Sequence, residues 1–261
     1  MRAEAAAVVC ETTPALEIMG LCKSFGGLAV TANVDLRLER GSRQALIGPN
    51  GAGKTTLINL ISGALAPSAG RVRLEGRDVT DLPAHVRARL GLARTFQINQ
   101  LFPKLTVVDQ VLLALGERHR SGRRLWRPLG ADPELLDEAF ALLERLRLDD
   151  QALAPIATLP YGRQRLVEIA LALAARPKVL LLDEPAAGVP AAESHVIFDA
   201  IEALPAEIAV LIVEHDMELV FRFARRITVM AAGAVLTEGT PAEIAADERV
   251  REVYLGTRRH G

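Results

Sequence analysis

The run Gly48-Pro49-Asn50-Gly51-Ala52-Gly53-Lys54-Thr55-Thr56 constrains this chain more than any other feature of its sequence. Three glycines within six positions let a backbone curl until several N–H groups converge on one point. Ahead of the curl, residues 45–47 read as a short apolar strand; behind it, from Lys54 to about Gly63, apolar positions recur at helical spacing. Strand, glycine-rich turn and helix N-terminus together make a phosphate cradle, because the loop N–H groups and the positive end of the helix dipole point the same way. Lys54 brings a full positive charge for the β- and γ-phosphates of a nucleotide, and the Thr55 hydroxyl an oxygen ligand for Mg2+. The same pattern assigns Gly48, Pro49, Asn50, Gly51, Ala52, Gly53 and Thr56 to nucleotide contact.

A second acidic feature lies far downstream. Val179-Leu180-Leu181-Leu182-Asp183-Glu184 is a continuous apolar run ending in two carboxylates, as expected of a parallel strand buried on both faces. The C-terminal ends of such strands are where open α/β sheets hold ligands. Asp183 suits a carboxylate that holds Mg2+ through its water shell, and Glu184 a general base for an attacking water. Two acids at a strand end would also suit the N-cap of the following helix.

The rest of the chain can supply a core around these motifs. Of 261 residues, 50% are hydrophobic and 24% charged, which excludes disorder as the main state. A formal net charge of −1 gives no overall pull toward nucleic acid. Cys10 and Cys22 have neither zinc-ligand spacing nor the number a disulfide framework needs. The apolar stretches are strand-length, too short to span a bilayer, and residues 1–11 lack a secretory pattern, so the expectation is a chain that stays in the cytoplasm. Strand-like runs at 16–21, 29–38, 45–47 and 72–74 precede a helical stretch at 107–115, 133–146 and 163–174. Strand and helix then alternate at 179–183, 191–204, 208–213 and 217–224. The expected layout is a β and α/β core over 15–105 and 177–261, a helical insertion over 106–176 and a short extension over 1–14. Residues 117–128 read as a basic surface loop; Arg118, Arg120, Arg123, Arg124 and Arg127 with Trp126 could alternatively meet lipid headgroups or a membrane partner.

From about Leu16 to Gly256 the chain resembles the ABC ATPases, with five motifs in that family's order. After the glycine-rich loop comes Arg94-Thr95-Phe96-Gln97, then Leu159-Pro160-Tyr161-Gly162-Arg163-Gln164-Arg165, then Asp183-Glu184, then Val213-Glu214-His215-Asp216. The resemblance implies a P-loop NTPase fold of class α/β, with a RecA-like mixed sheet, an antiparallel β subdomain and a helical insertion. It gives Gln97 contact with Mg2+ and the attacking water, beside the docking place of a membrane subunit, and gives His215 the γ-phosphate. Phe25 in Lys23-Ser24-Phe25-Gly26 takes the place of the aromatic that stacks on adenine. Tyr161, Gly162, Arg163 and Gln164 stand in the signature segment, which binds ATP across a dimer interface. Here Pro160 occupies the usual serine position and offers neither hydroxyl nor N–H, Arg163 replaces a glutamine, and Pro190 stands where relatives carry Asp or Asn.

Phe25-Gly26-Gly27-Leu28, the Tyr-Gly form of the signature, Glu184-Pro185-Ala186-Ala187-Gly188, Glu214-His215-Asp216-Met217 and Tyr254-Leu255-Gly256 look like the branched-chain amino acid importer ATPases, without the C-terminal regulatory domain that sugar importers often carry. What this resemblance implies is a peripheral protein on the cytoplasmic face of the inner membrane. It would bind ATP and Mg2+, pair with a second ATPase subunit and with transmembrane permease subunits, and serve a periplasmic solute-binding protein indirectly. No nucleic acid partner is implied. The other readings are a soluble ABC ATPase without transport, an ATP-sensing module suggested by Pro160, and an exporter ATPase.

Overall fold

The computed structural model describes residues 13–95, 101–119, 130 and 132–256. Two sheets stack with a helix between them. Strands β1 (Leu16–Phe25), β2 (Leu28–Leu38), β4 (Ala69–Leu74) and β5 (Arg77–Asp78) form an antiparallel sheet in the order β2-β1-β4-β5. The second sheet contains β3 (Arg43–Ile47), β6 (Leu92–Arg94), β7 (Val179–Asp183), β8 (Ala209–Val213), β9 (Arg226–Ala231) and β10 (Ala234–Gly239). Its order is β10-β9-β3-β8-β7-β6, and only the β9–β10 pair is antiparallel.

Side-chain alternation in the central strands decides what packs on each face. Leu46, Leu181 and Leu211 point to one side, where they meet Leu57, Ile58, Leu60 and Ile61 of α1 (Lys54–Ser62) and the inner face of the antiparallel sheet. Each of these fully buried aliphatic side chains contributes about 1.5–3 kcal/mol, so α1 is held firmly. Ile47, Leu180, Leu182, Val210 and Ile212 point to the other side and pack under α3 (Val107–Arg118), α4 (Pro133–Arg145), α5 (Tyr161–Ala174) and α6 (Ala191–Glu202). The connections have local causes. Gly63 ends α1 in the left-handed conformation. Thr106, Asp132 and Asp216 accept backbone N–H bonds at the starts of α3, α4 and α7 (Met217–Phe223).

The expected helices and strands are present, with boundaries moved. Strand β1 continues four residues beyond 21, to Phe25, and α5 starts at Tyr161 rather than 163 because Pro160 supplies the extended entry. Elements absent from the sequence reading are β5, β6, α2 (Ala84–Arg89), the β9–β10 pair, α8 (Pro241–Ala246) and α9 (Glu248–Gly256). The basic loop begins later than expected. Residues 117 and 118 belong to α3, and Arg118 donates to the Ala174 carbonyl at 2.9 Å and pairs with Glu138, so it faces protein rather than lipid. Residues 120–128 lie outside the described residues. Among the described residues no helix is long and apolar enough to cross a membrane.

Candidate nucleotide site

The glycine-rich loop joins the end of β3 to the start of α1, at the C-terminal edge of the parallel strands. Its glycines are required by close backbone approaches. A Cβ on Gly48 would lie 2.2 Å from the Met230 carbonyl oxygen, and one on Gly53, whose φ is +96°, 2.7 Å from that of Val30. The turn between β9 and β10 braces the loop, with Gly233 N–H donating to the Ala52 carbonyl at 3.2 Å. Lys54 folds back over the curl, its Nζ donating to the carbonyls of Gly48 at 2.6 Å and Pro49 at 3.0 Å. Burial lowers the Lys54 pKa, while Glu184 and Asp183 oppose the shift.

Strand β7 delivers Asp183 at the sheet edge with its side chain 1% exposed. One carboxylate oxygen accepts from Arg94 Nη2 at 3.0 Å; the other, Oδ1, is buried with no hydrogen bond among the described residues. A buried orphan carboxylate oxygen is costly unless a cation or water satisfies it. With the exposed Thr55 hydroxyl it makes a donor set that fits Mg2+, which takes one or two protein oxygens and keeps waters. Glu184 follows in the left-handed region at φ +48°, its N–H held by the Val213 carbonyl at 2.9 Å. A non-glycine residue there costs on the order of 1–3 kcal/mol, a strain that turns Glu184 out of the strand.

The loop after β8 is tied to that turn by a residue the sequence reading left without a role. Glu214 is 2% exposed and accepts from the N–H groups of Ala186 at 3.3 Å and His215 at 3.2 Å. Burial pushes its carboxyl pKa up. His215 itself is exposed, its Nδ1 3.7 Å from Glu214. Phe25 stands at the β1–β2 turn, 50% exposed and so not a core residue, with Lys23 Nζ 5.2 Å from its ring centroid. Residues 96–100, and with them Gln97, lie outside the described residues.

At the head of α5, Pro160 is the N-cap residue and no side chain caps the helix. Its carbonyl still accepts from Gln164 N–H at 3.1 Å, and the Gln164 side chain donates to Leu159 at 3.0 Å. Tyr161 packs over Gly188, where an added Cβ would sit 3.2 Å from the ring. The Arg163 guanidinium turns back to the Arg147 carbonyl and lies 3.9 Å from Asp150, so in this conformation its charge serves the helical region.

Comparison with known proteins accords with this geometry. The profile of a family described as ABC transporter matches residues 31–187, and one described as branched-chain amino acid ATP-binding cassette transporter matches residues 234–260. The chain is 39% identical over 251 residues to the high-affinity branched-chain amino acid transport ATP-binding protein BraF of Pseudomonas aeruginosa, covering 93% of this chain and 98% of that one. The chain belongs to the ABC transporter family.

Solved cassettes of this family share the whole fold. A crystal structure of the ADP conformation of an ATP-binding cassette aligns with a TM-score of 0.83 at 32% identity, covering 94% of this chain and all of the other. A dimeric cassette in a post-hydrolysis state bound to ADP and Pi aligns at 0.71 and 25% identity, covering 87% and 98%. As an ABC ATPase this chain binds and hydrolyses ATP. Among the cations that escaped the sequence reading are two that brace the end of α1. Arg94 carries no local signal beyond adjoining Gln97. Arg87, 1% exposed, donates to the Leu60 and Ile61 carbonyls at the end of α1, at 2.8 and 2.7 Å.

Proposed function

We propose that this ABC ATPase powers the import of branched-chain amino acids or related small polar solutes, working as a peripheral subunit on the cytoplasmic side of transmembrane permease subunits. The observation that carries the reading is the strand register: Leu46, just before the phosphate loop, and Asp183 both pair with Val213, so the loop and the acidic pair leave the parallel sheet at the same edge. The cargo reading is supported by the relative named above and by the profile match over residues 234–260.

In the proposed site the N–H groups of residues 48–55 and the Lys54 ammonium hold the β- and γ-phosphates, and the Phe25 ring stacks on adenine. Asp183, Thr55 and Gln97 would hold Mg2+, which would supply positive charge to offset that of the β- and γ-phosphates. Glu184 orients water for in-line attack on the γ-phosphorus and takes its proton as the bond to the β-phosphate oxygen breaks, leaving ADP and phosphate. His215 contacts the γ-phosphate from the loop after β8. A second cassette, identical or related, lays its residues 160–164 against the same phosphates, so that ATP joins the two and hydrolysis releases them. Support for this arrangement comes from the N-terminus of α5, which has no side-chain cap hydrogen bond among the described residues and whose dipole suits an anion, and from the dimeric cassette above. The solute-binding protein acts at one remove, through the permease.

The test is ATPase activity of the purified chain, alone and reconstituted with permease subunits, beside Glu184→Gln. Activity that rises on reconstitution and vanishes in the variant, with ATP binding retained, is the expected result. Undiminished hydrolysis by Glu184→Gln would remove Glu184 from its role.

A further inference from the structure

Arg94 ends the outermost strand of the parallel sheet, paired in register with Leu181, two residues before Asp183. Its side chain crosses to α1. Nη1 donates to Asn59 Oδ1 at 2.6 Å and to Ser62 Oγ at 3.3 Å, while Nη2 donates to Asp183 Oδ2 at 3.0 Å. The guanidinium is 10% exposed and the Asp183 carboxylate 1%.

A buried ion pair is a poor source of stability, because desolvating both charges offsets most of their attraction. Its planar fork is well suited to fixing orientation, since two donors on one rigid group lock two acceptors in one plane. Here the two acceptors belong to the helix that follows the phosphate loop and to the strand that carries the acidic pair. Oδ2 of Asp183 accepts from Arg94, and Oδ1 is the oxygen left buried and unbonded among the described residues. The bond to Oδ2 fixes the rotation of the carboxylate and leaves Oδ1 as the oxygen without a protein donor among the described residues.

We infer that Arg94 is a positioning residue for the metal: it clamps Asp183 to Asn59 and Ser62 so that Oδ1 alone is presented to the cation. The inference rests on the reading of Asp183 as the metal-holding carboxylate. Two residues separate Arg94 from Gln97 along the chain, so the clamp also anchors the strand end that precedes that glutamine. Lysine cannot replace it, because a single ammonium cannot hold the fixed two-pronged geometry toward Asn59 and Asp183.

The experiment uses the full chain saturated with ADP and titrated with Mn2+, followed by electron paramagnetic resonance. Affinity for a fluorescent ADP analogue in EDTA is measured in parallel, with thermal unfolding as a control. Arg94→Met and Arg94→Lys should weaken Mn2+ binding about 10-fold or more, the range found for losing a residue that orients a ligand, with metal-free nucleotide affinity within about twofold of the parent. Asn59→Ala should give a smaller loss of Mn2+ affinity. Unchanged Mn2+ affinity in Arg94→Lys overturns the inference. If Arg94→Met fails to fold, Arg94→Lys decides by the same criterion. Asp183→Asn separates the two readings. If it leaves Mn2+ binding intact, the assignment of Asp183 itself fails; if it abolishes binding while Arg94→Lys does not weaken it, only the clamp fails.

Discussion

The loop 48–53 and the segment 159–164 each run into the N-terminus of a helix, yet they are held in opposite ways. The first is enclosed by backbone from two strands and a turn: the Val30 and Met230 carbonyls close on Gly53 and Gly48, and Gly233 braces Ala52. The second begins at a proline with no side-chain cap hydrogen bond, shows an exposed tyrosine and is touched mainly by side chains, with Tyr161 over Gly188 and Gly162 against Val189 and Glu193. Enclosure preorganises the loop, so a single added methyl group there collides with backbone. Openness makes the segment tolerant. A proline can stand at its head because α5 needs only an extended entry and a carbonyl acceptor at that position.

The sharpest test of this contrast is Glu184→Gln, which sits at the enclosed edge. Turnover should fall about 10²–10⁴-fold, as for loss of a general base, with ATP binding retained; phosphate release assays and equilibrium binding read the two quantities. Lys54→Met should weaken ATP binding about ten- to a hundredfold, the equivalent of a lost charge-assisted hydrogen bond. Gly53→Ala, a far smaller chemical change, should cost nearly as much, because the Cβ meets Val30 and the backbone is left-handed; binding equal to the parent would show that the loop is less enclosed than described. On the open side, Pro160→Ser restores a hydroxyl and an N–H and should strengthen ATP-dependent dimerisation of the Glu184→Gln protein by up to about tenfold, measured by sedimentation. No gain would mean that this segment does not reach phosphate.

The smallest effect concerns how the helical region holds itself together. Glu138 on α4 is bonded to Arg118, His119 and Arg176, and Arg118 foremost holds its pKa down at about 2 against an ordinary 4.5. A carboxylate with a lowered folded pKa stabilises above its unfolded value and loses that contribution as the pH falls toward the folded one. Melting temperature should therefore drop between pH 4.5 and about 2, and Glu138→Gln should flatten part of that slope.

Where local chemistry determines structure, the sequence was readable. The glycine spacing of 48–53 and the unbroken apolar run into Asp183 each declare an element and its use without reference to the rest of the chain. What stayed hidden depends on partners distant in sequence. Strand β6 has only three residues, too few to show a period, and exists because β7 pairs with it. Arg94, Arg87 and Glu214 are charged and would be read as solvated, whereas folding buries each one against acceptors or donors from other elements. The pair β9–β10 had the composition of strands, but its place beside β3 follows from sheet order, which no local window contains.

The Tyr161 ring lying over Gly188 carries a lesson for redesign. An engineer wishing to convert the head of α5 to a glycine-rich form would naturally start with Tyr161→Gly, and would thereby empty the space that shapes the turn after β7. The two positions behave as one unit of design: a smaller residue at 161 calls for a bulkier neighbour elsewhere on that turn, while Gly188, at φ +77°, is held to glycine by its backbone as well as by the ring above it.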